Sequence, residues 1–279
     1  MIPPIASRFV AGESPAVALE HTRLTNAEGV KVILNLLGEH YDDPAPARAD
    51  AETYRRLLAD IDSTGLDACI SVKPSQIGLD VSEELFREQY RAIAEAGDEH
   101  DTFVWCDMED ATTTDATLDA YEDLARELGG GMGLCVQANL RRTKTDLERL
   151  ASVPGKIRLV KGAYEEDSNI AYTEKSAVNE AYREDLEFMF QEFDGGIGVG
   201  SHDPAMIEFA TDLHEEYGTD FEIQMLMGVR EQAQVDLAAD GYEVWQYAPY
   251  GDKWLSYFYR RLREGKENLG FALRAIVSG

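Results

Sequence analysis

Eight short apolar runs alternate along the chain with longer segments of helical periodicity. The runs fall at 30–37, 68–72, 103–106, 132–138, 157–160, 197–200, 221–227 and 244–248. They are rich in β-branched residues and apolar on both faces, as parallel strands covered on both sides are. Helical spacing marks 51–61, 82–96, 115–128, 145–151, 174–193, 204–217, 231–239 and 253–263. In the first of these, Tyr54, Leu57, Leu58 and Ile61 recur at i, i+3, i+4 and i+7. Helix starts are signalled by Ser82 with Glu83 and Glu84, Thr114 with Asp115, Thr145 with Asp146, and Asp203-Pro204. Further helices are predicted at 15–27 and 267–276. Such alternation, with no long linker, predicts one domain over 1–279: an α/β fold, a closed (β/α)8 TIM-type barrel with extra N- and C-terminal helices.

In such a barrel the active site forms at the carboxyl ends of the strands. There the sequence places Gly38-Glu39-His40, Lys73-Pro74-Ser75, Asp107-Met108-Glu109-Asp110, Gln137 with Asn139, the stretch 158–164, Ser201-His202-Asp203, Gln224 with Gly228, and the stretch 247–251. Lys73, Asp107, Gln137, Arg158 and Lys161 are predicted to converge on the barrel mouth. Burying such groups is costly unless they are partnered. The bland alternative is a set of internal salt bridges, with Glu39 and Glu109 as caps or rim charges. Near the C-terminus, Tyr257, Arg260, Arg261 and Glu264 share one helical face by their spacing. Two adjacent arginines braced by a glutamate can clamp a small carboxylate through bidentate bonds, although an exposed ion-paired helix has the same pattern.

Charge sharpens this picture. Asp and Glu total 53 against 26 Lys and Arg, a net charge of −27 in a chain of 279 residues. That balance argues against nucleic acid as a partner and against electrostatic attachment to an anionic membrane. Acidic residues lie on nearly every predicted helix, which suits a protein kept soluble in concentrated salt, where repulsion is screened. Cys69, Cys106 and Cys135 sit far apart in apolar stretches and are expected to be buried core thiols. No apolar run of about 18 residues and no leader pattern is seen, so a soluble, cytoplasmic protein is expected.

Several segments resemble the proline dehydrogenase family. They are Arg8-Phe9-Val10-Ala11-Gly12-Glu13, the stretches 71–79, 105–110, 136–140 and 158–164, then 198–204, 221–230 and 247–264. The resemblance covers nearly the whole chain and is similar to the stand-alone enzyme. It implies FAD-dependent oxidation of L-proline to Δ1-pyrroline-5-carboxylate, the first step of proline catabolism, with electrons passed to a quinone. A quinone acceptor implies peripheral contact with the inner face of a membrane; an oligomer is compatible with the sequence.

The same resemblance implies residue roles. Asp107 and Arg158 match an active-site pair, with Arg158 near the flavin N5. Arg260, Arg261 and Lys73 would hold the proline carboxylate, and Glu264 would orient the arginines. Tyr164, Leu226, Tyr247 and Tyr257 would pack around the pyrrolidine ring. Met108, Gln137, Lys161, Gly162, Ala163, Ser201 and His202 match flavin-contacting positions. No metal is implied. Where relatives often carry Thr-His-Asn, this chain has Ser201-His202-Asp203, and the aspartate is expected to point away from the cofactor phosphates as a helix cap. Two alternatives are weighed. One is a flavin dehydrogenase for a proline analogue such as 4-hydroxyproline. The other is a divalent-metal barrel isomerase using Glu39, Asp107, Glu109, His202 and Asp203, which leaves the lysines and arginines without a role.

Overall fold

A computed structural model of the chain describes residues 6–255. A short 3-10 turn (Ala6–Arg8) and helix α1 (Pro15–Asn26) precede the barrel. The strands are β1 (Lys31–Leu36), β2 (Ala68–Val72), β3 (Val104–Cys106), β4 (Met132–Gln137), β5 (Lys156–Val160), β6 (Ile197–Gly200), β7 (Phe221–Leu226) and β8 (Val244–Tyr250). They pair in parallel in chain order, and β8 closes on β1 from Lys31↔Trp245 to Leu36↔Tyr250. Between them run α2 (Pro44–Thr64), α3 (Glu83–Glu99), α4 (Thr114–Leu128), α5 (Thr143–Leu150), α6 (Lys175–Glu192), α7 (Pro204–Tyr217) and α8 (Glu231–Ala239). The predicted helix at 253–263 lies outside the described residues from 256 onward, and the one at 267–276 wholly so.

Each strand has two apolar faces, and they meet different partners. Val32 and Leu34 of β1 and Ile70 and Val72 of β2 join Tyr54, Leu57 and Leu58 of α2 and Phe86, Tyr90 and Ile93 of α3 in the large shell between strands and helices. Burying one such side chain stabilises by about 1.5–3 kcal/mol. The intervening residues Ile33, Cys69 and Trp105 face inward and form a small separate cluster with Phe103, Trp245 and Tyr247. The three cysteines are free and buried. Burial pushes the Cys69 and Cys106 thiols well above their ordinary range.

Helix boundaries show which local signals win. Ser82 caps α3 by accepting from Leu85 N at 3.1 Å, and Asp203 caps α7 by accepting from Ala205 N at 3.2 Å, as expected. Helix α2 starts earlier than its apolar stripe, because Asp43 accepts from Ala45 N at 2.7 Å and Pro44 occupies the first turn. The other two caps differ. Asp110 caps a 3-10 turn (Ala111–Thr113) that leads directly into α4, so Thr114 lies inside the helix. Helix α5 starts at Thr143, ahead of Thr145. Asp146 is drawn instead to Arg142, which lies 2.8 Å away and also reaches Asp115 at 2.6 Å.

On the outside, arginines tie neighbouring helices together. Arg48 of α2 bonds Glu88 of α3, Arg87 and Arg91 of α3 bond Asp123 and Glu127 of α4, and Arg149 of α5 bonds Asp119 and Glu122 of α4. Among the described residues no ion pair joins α6, α7 and α8 to one another.

Candidate active site

The carboxylate of Asp107, one residue beyond β3, is the hub of the barrel mouth. Ser71 Oγ donates to Oδ1 at 2.7 Å, and Tyr247 OH donates to Oδ2 at 2.6 Å. Lys73 Nζ donates to Oδ2 at 3.0 Å, and the Arg158 guanidinium pairs with Oδ1. Burial alone would push this carboxyl up. The Lys73 and Arg158 charges, with the Tyr247 and Ser71 hydrogen bonds, outweigh burial and hold it well below the usual carboxylate range. Burial pulls the Lys73 ammonium the other way, yet Asp107 keeps it charged, well above its ordinary range. The Arg158 guanidinium lies over the Trp105 ring at 5.0 Å and the Tyr247 ring at 5.6 Å, which limits its tilt.

The loops beyond the strands are pinned to one another. Glu109 is fully buried and accepts from Ser75 N and Ser75 Oγ, both at 2.7 Å. It is therefore neither a cap nor a rim charge but a staple between the β2 and β3 loops. Burial pushes its carboxyl up, against the pull of Lys73. Gln137 donates to the Glu109 carbonyl at 2.8 Å and accepts from Ala163 N at 3.3 Å, which binds the β3 and β5 loops. Lys161 pairs with Asp203 at 2.9 Å. His202 Nε2 accepts from Leu226 N at 3.3 Å, and the His202 carbonyl accepts from Arg230 at 2.6 Å.

These residues enclose a half-open cavity of about 460 Å³. Of the residues predicted for the site, Lys73, Asp107, Met108, Gln137, Arg158, Lys161, Gly162, Ala163, Tyr164, His202, Leu226 and Tyr247 all line it. Ser201 does not. Its hydroxyl turns into its own loop and accepts from Asp203 N at 3.1 Å. Tyr257, Arg260, Arg261 and Glu264 lie outside the described residues. Asn35 and Glu39 also line the cavity, and Asn35 is held by hydrogen bonds to Ser71 O at 2.9 Å and Tyr54 OH at 3.3 Å. The alternation of Ser71 with Lys73 and of Asn35 with Leu37 along a strand was the available signal for these wall residues.

Among the described residues no group of three or more His, Cys, Asp or Glu is placed to hold a metal ion. Three of the four carboxylates of a metal reading are committed elsewhere, Asp107 to Lys73 and Arg158, Glu109 to Ser75, and Asp203 to Lys161.

Fold and site together define a (β/α)8 barrel protein with a buried cationic centre at the mouth. A family model described as proline dehydrogenase matches residues 18–274. Proline dehydrogenase 2 of Bacillus subtilis (strain 168) is 34% identical over 276 residues, which cover 98% of this chain and 90% of the relative. The proline dehydrogenase of Deinococcus radiodurans is 35% identical over 284 residues, covering 99% and 91%. Among solved structures, proline utilization A of Bdellovibrio bacteriovorus inactivated by N-propargylglycine matches with a TM-score of 0.86 at 23% identity, over 94% of this chain and 32% of that one. Proline utilization A of Corynebacterium freiburgense gives 0.80 at 22% identity, over 98% and 32%. The chain thus spans about a third of the length of these solved chains, and they bear on the fold alone. The chain belongs to the proline dehydrogenase family, and it is an oxidoreductase acting on proline.

Proposed function

We propose that the protein oxidises L-proline to Δ1-pyrroline-5-carboxylate on an FAD held at the barrel mouth and passes the electrons to a quinone. The observation that carries this reading is the pair of cations, Lys73 and Arg158, kept charged by Asp107 at a cavity of about 460 Å³. That volume suits a small-molecule site, for which about 300–1,000 Å³ is usual.

The lining fits a flavin. Leu37, Met108, Val160, Met225 and Leu226 offer apolar wall, while Lys73, Gln137, Arg158 and Lys161 offer donors. Gly162 takes a φ of +113°, and a Cβ there would overlap the Asn139 side-chain amide, whose buried Oδ1 has no hydrogen-bond partner among the described residues. Lys161, Gly162, Ala163, Gln137, Met108 and His202 would hold the cofactor. Asp203 caps α7 through Oδ1, while its Oδ2 pairs with Lys161, so that carboxylate is not turned away from the residues that would hold the cofactor. When bound, the flavin supplies the electron chemistry by taking the hydride that leaves C5 of proline.

The remaining work falls to the chain. Lys73, with Arg260 and Arg261 braced by Glu264, would fix the substrate carboxylate. Leu226 and the rings of Tyr164, Tyr247 and Tyr257 would hold the pyrrolidine ring in one orientation and exclude water. Asp107 acts as a fixed counter-charge rather than a base, since its neighbours disfavour protonation. The substrate amine therefore loses its proton to solvent before hydride leaves. The decisive experiment is anaerobic addition of L-proline to the flavin-loaded protein. Bleaching of the visible flavin band is expected, and an unchanged spectrum would refute the reading.

Gly162→Ala tests the cofactor wall. The alanine meets the Asn139 amide and takes a backbone conformation that costs about 1–3 kcal/mol. We expect the purified variant to retain several-fold less flavin per chain than the wild type, read from the ratio of visible to protein absorbance. An unaltered ratio would exclude Gly162 from the cofactor wall.

A further inference from the structure

Beneath the cavity, a line of polar side chains crosses the barrel interior. Lys156 and Arg158 on β5 share one strand face, and so do Glu222 and Gln224 on β7. Glu222 and Gln224 are 3% and 4% exposed. The Lys156 ammonium pairs with Glu222 Oε2. Glu222 Oε1 accepts from Gln224 Nε2 at 2.6 Å, and Gln224 Oε1 accepts from Arg158 Nη1 at 3.0 Å. Arg158 Nη2 then donates to Asp107. Strand β6 runs between β5 and β7, and its Gly198 stands in register with both Arg158 and Glu222. A Cβ at Gly198 would come within 3.1 Å of Gln224 Nε2 and 3.2 Å of Arg158 Cα, so the glycine leaves the opening through which side chains of β5 and β7 meet.

Chemistry dictates the sense of the central amide. An ionised carboxylate only accepts hydrogen bonds and a guanidinium only donates them. Gln224 must therefore aim its NH2 at Glu222 and its oxygen at Arg158. The reverse would set acceptor against acceptor at one end and donor against donor at the other. This order holds only while Glu222 is ionised, because a protonated carboxyl can itself donate.

We propose that Glu222, acting through Gln224, is the positioning residue for Arg158, and that the charge of Lys156 keeps this device set. The inference rests on the reading that places Arg158 at a flavin. Glu222 is faced by Lys156 from β5, by Cys69 from β2, and by Glu243 just ahead of β8, which pairs with Lys31 of β1 at 3.2 Å. Burial pushes the Glu222 carboxyl up and Glu243 adds to that push, while Lys156 and Gln224 oppose it. Glu222 is thus poised to take up a proton if Lys156 is neutralised.

The test uses flavin-loaded Lys156→Met, Lys156→Arg and Gln224→Met proteins. It reads the midpoint potential of the bound flavin against redox dyes across pH, alongside reduction by proline. A correctly aimed cation stabilises reduced, anionic flavin. Flavin reduction takes up protons, so the potential rises on acidification; protonation of Glu222 should cut into that rise, and in Lys156→Met the shortfall should set in about one pH unit higher than in the wild type. Lys156→Arg should restore the wild-type profile. Gln224→Met should lower the potential throughout and remove that pH-dependent shortfall. A Lys156→Met profile that overlays the wild type would overturn the proposal, as would a Gln224→Met protein with unchanged potential. Lys156 is one-third exposed, so its variants remain informative if Gln224→Met fails to fold. Wild-type protein that holds flavin but is not reduced by proline would count against the proposed function, and the dye-measured potentials would still decide the role of Glu222.

Discussion

Asp107→Asn is expected to slow the proposed reaction severely and to weaken the fold together. The change keeps the size of the side chain and removes the charge that both Lys73 and Arg158 face. Breaking a buried ion pair by removing one partner typically costs about 3–5 kcal/mol, because the remaining charge is left uncompensated. In a chain of this size that corresponds to a fall in Tm of roughly 10 °C. The Lys73 and Arg158 cations would also lose their aim, and losing preorganised electrostatics of this kind lowers rates by about 100- to 1,000-fold. Thermal melts and stopped-flow reduction by proline check the two effects. A variant with wild-type Tm and a reduction rate within about threefold of wild type would show that Asp107 is not the hub.

Asp185→Asn should do the opposite to stability, and only at higher pH. Asp185 lies on the buried side of α6. Burial, with Glu184 beside it and against the pull of Lys144, pushes its carboxyl up to about 7. Its unfolded value is about 3.9, so the folded state prefers the protonated form. That preference contributes fully below about pH 4 and is lost as pH rises toward 7, above which a buried carboxylate must be tolerated. At about 1.4 kcal/mol per pKa unit, the penalty at alkaline pH is roughly 4 kcal/mol. Asparagine cannot ionise and escapes it. The Tm of the variant should exceed that of the wild type at about pH 8, with the gap closing toward about pH 4. A gap that stays constant across pH would mean the gain comes from packing.

The barrel was legible because strands covered on both faces leave a simple trace. The run read at 68–72 coincides with β2, and the run at 157–160 misses only Lys156. Glu222 lies inside the run read at 221–227, whereas Lys156 falls just outside its own. A charged residue beside an apolar one reads as a strand edge meeting solvent, whereas here it faces the barrel interior. The first turns of α2 were missed because Ala45, Ala47 and Ala49 carry little apolar contrast. Once the barrel was placed, its strand ends pointed to Lys73, Asp107, Gln137 and Arg158 without further help. Ser201 shows where that logic stops. Position after a strand brings a residue to the mouth, but only the loop hydrogen bonds decide whether its side chain looks in. For Glu109 the sequence left cap and rim charge open as the bland alternative, because rim and staple differ only in burial, which neighbours distant in sequence create.

The arginine ties between helices are unevenly distributed around the barrel. They fasten α2, α3, α4 and α5 into a laced arc and leave α6, α7 and α8 without such lacing among the described residues. Each tie is modest, about 0–1 kcal/mol, but the difference accumulates on one side. The unlaced helices follow β5, β6 and β7, whose ends carry Lys161, Gly162, His202 and Leu226. The ion-paired wall therefore stands behind Lys73 and Asp107, while on the other side α6 and α7 meet through the Arg183 guanidinium over the Phe209 ring and the Gln191–Tyr217 hydrogen bond instead of salt bridges.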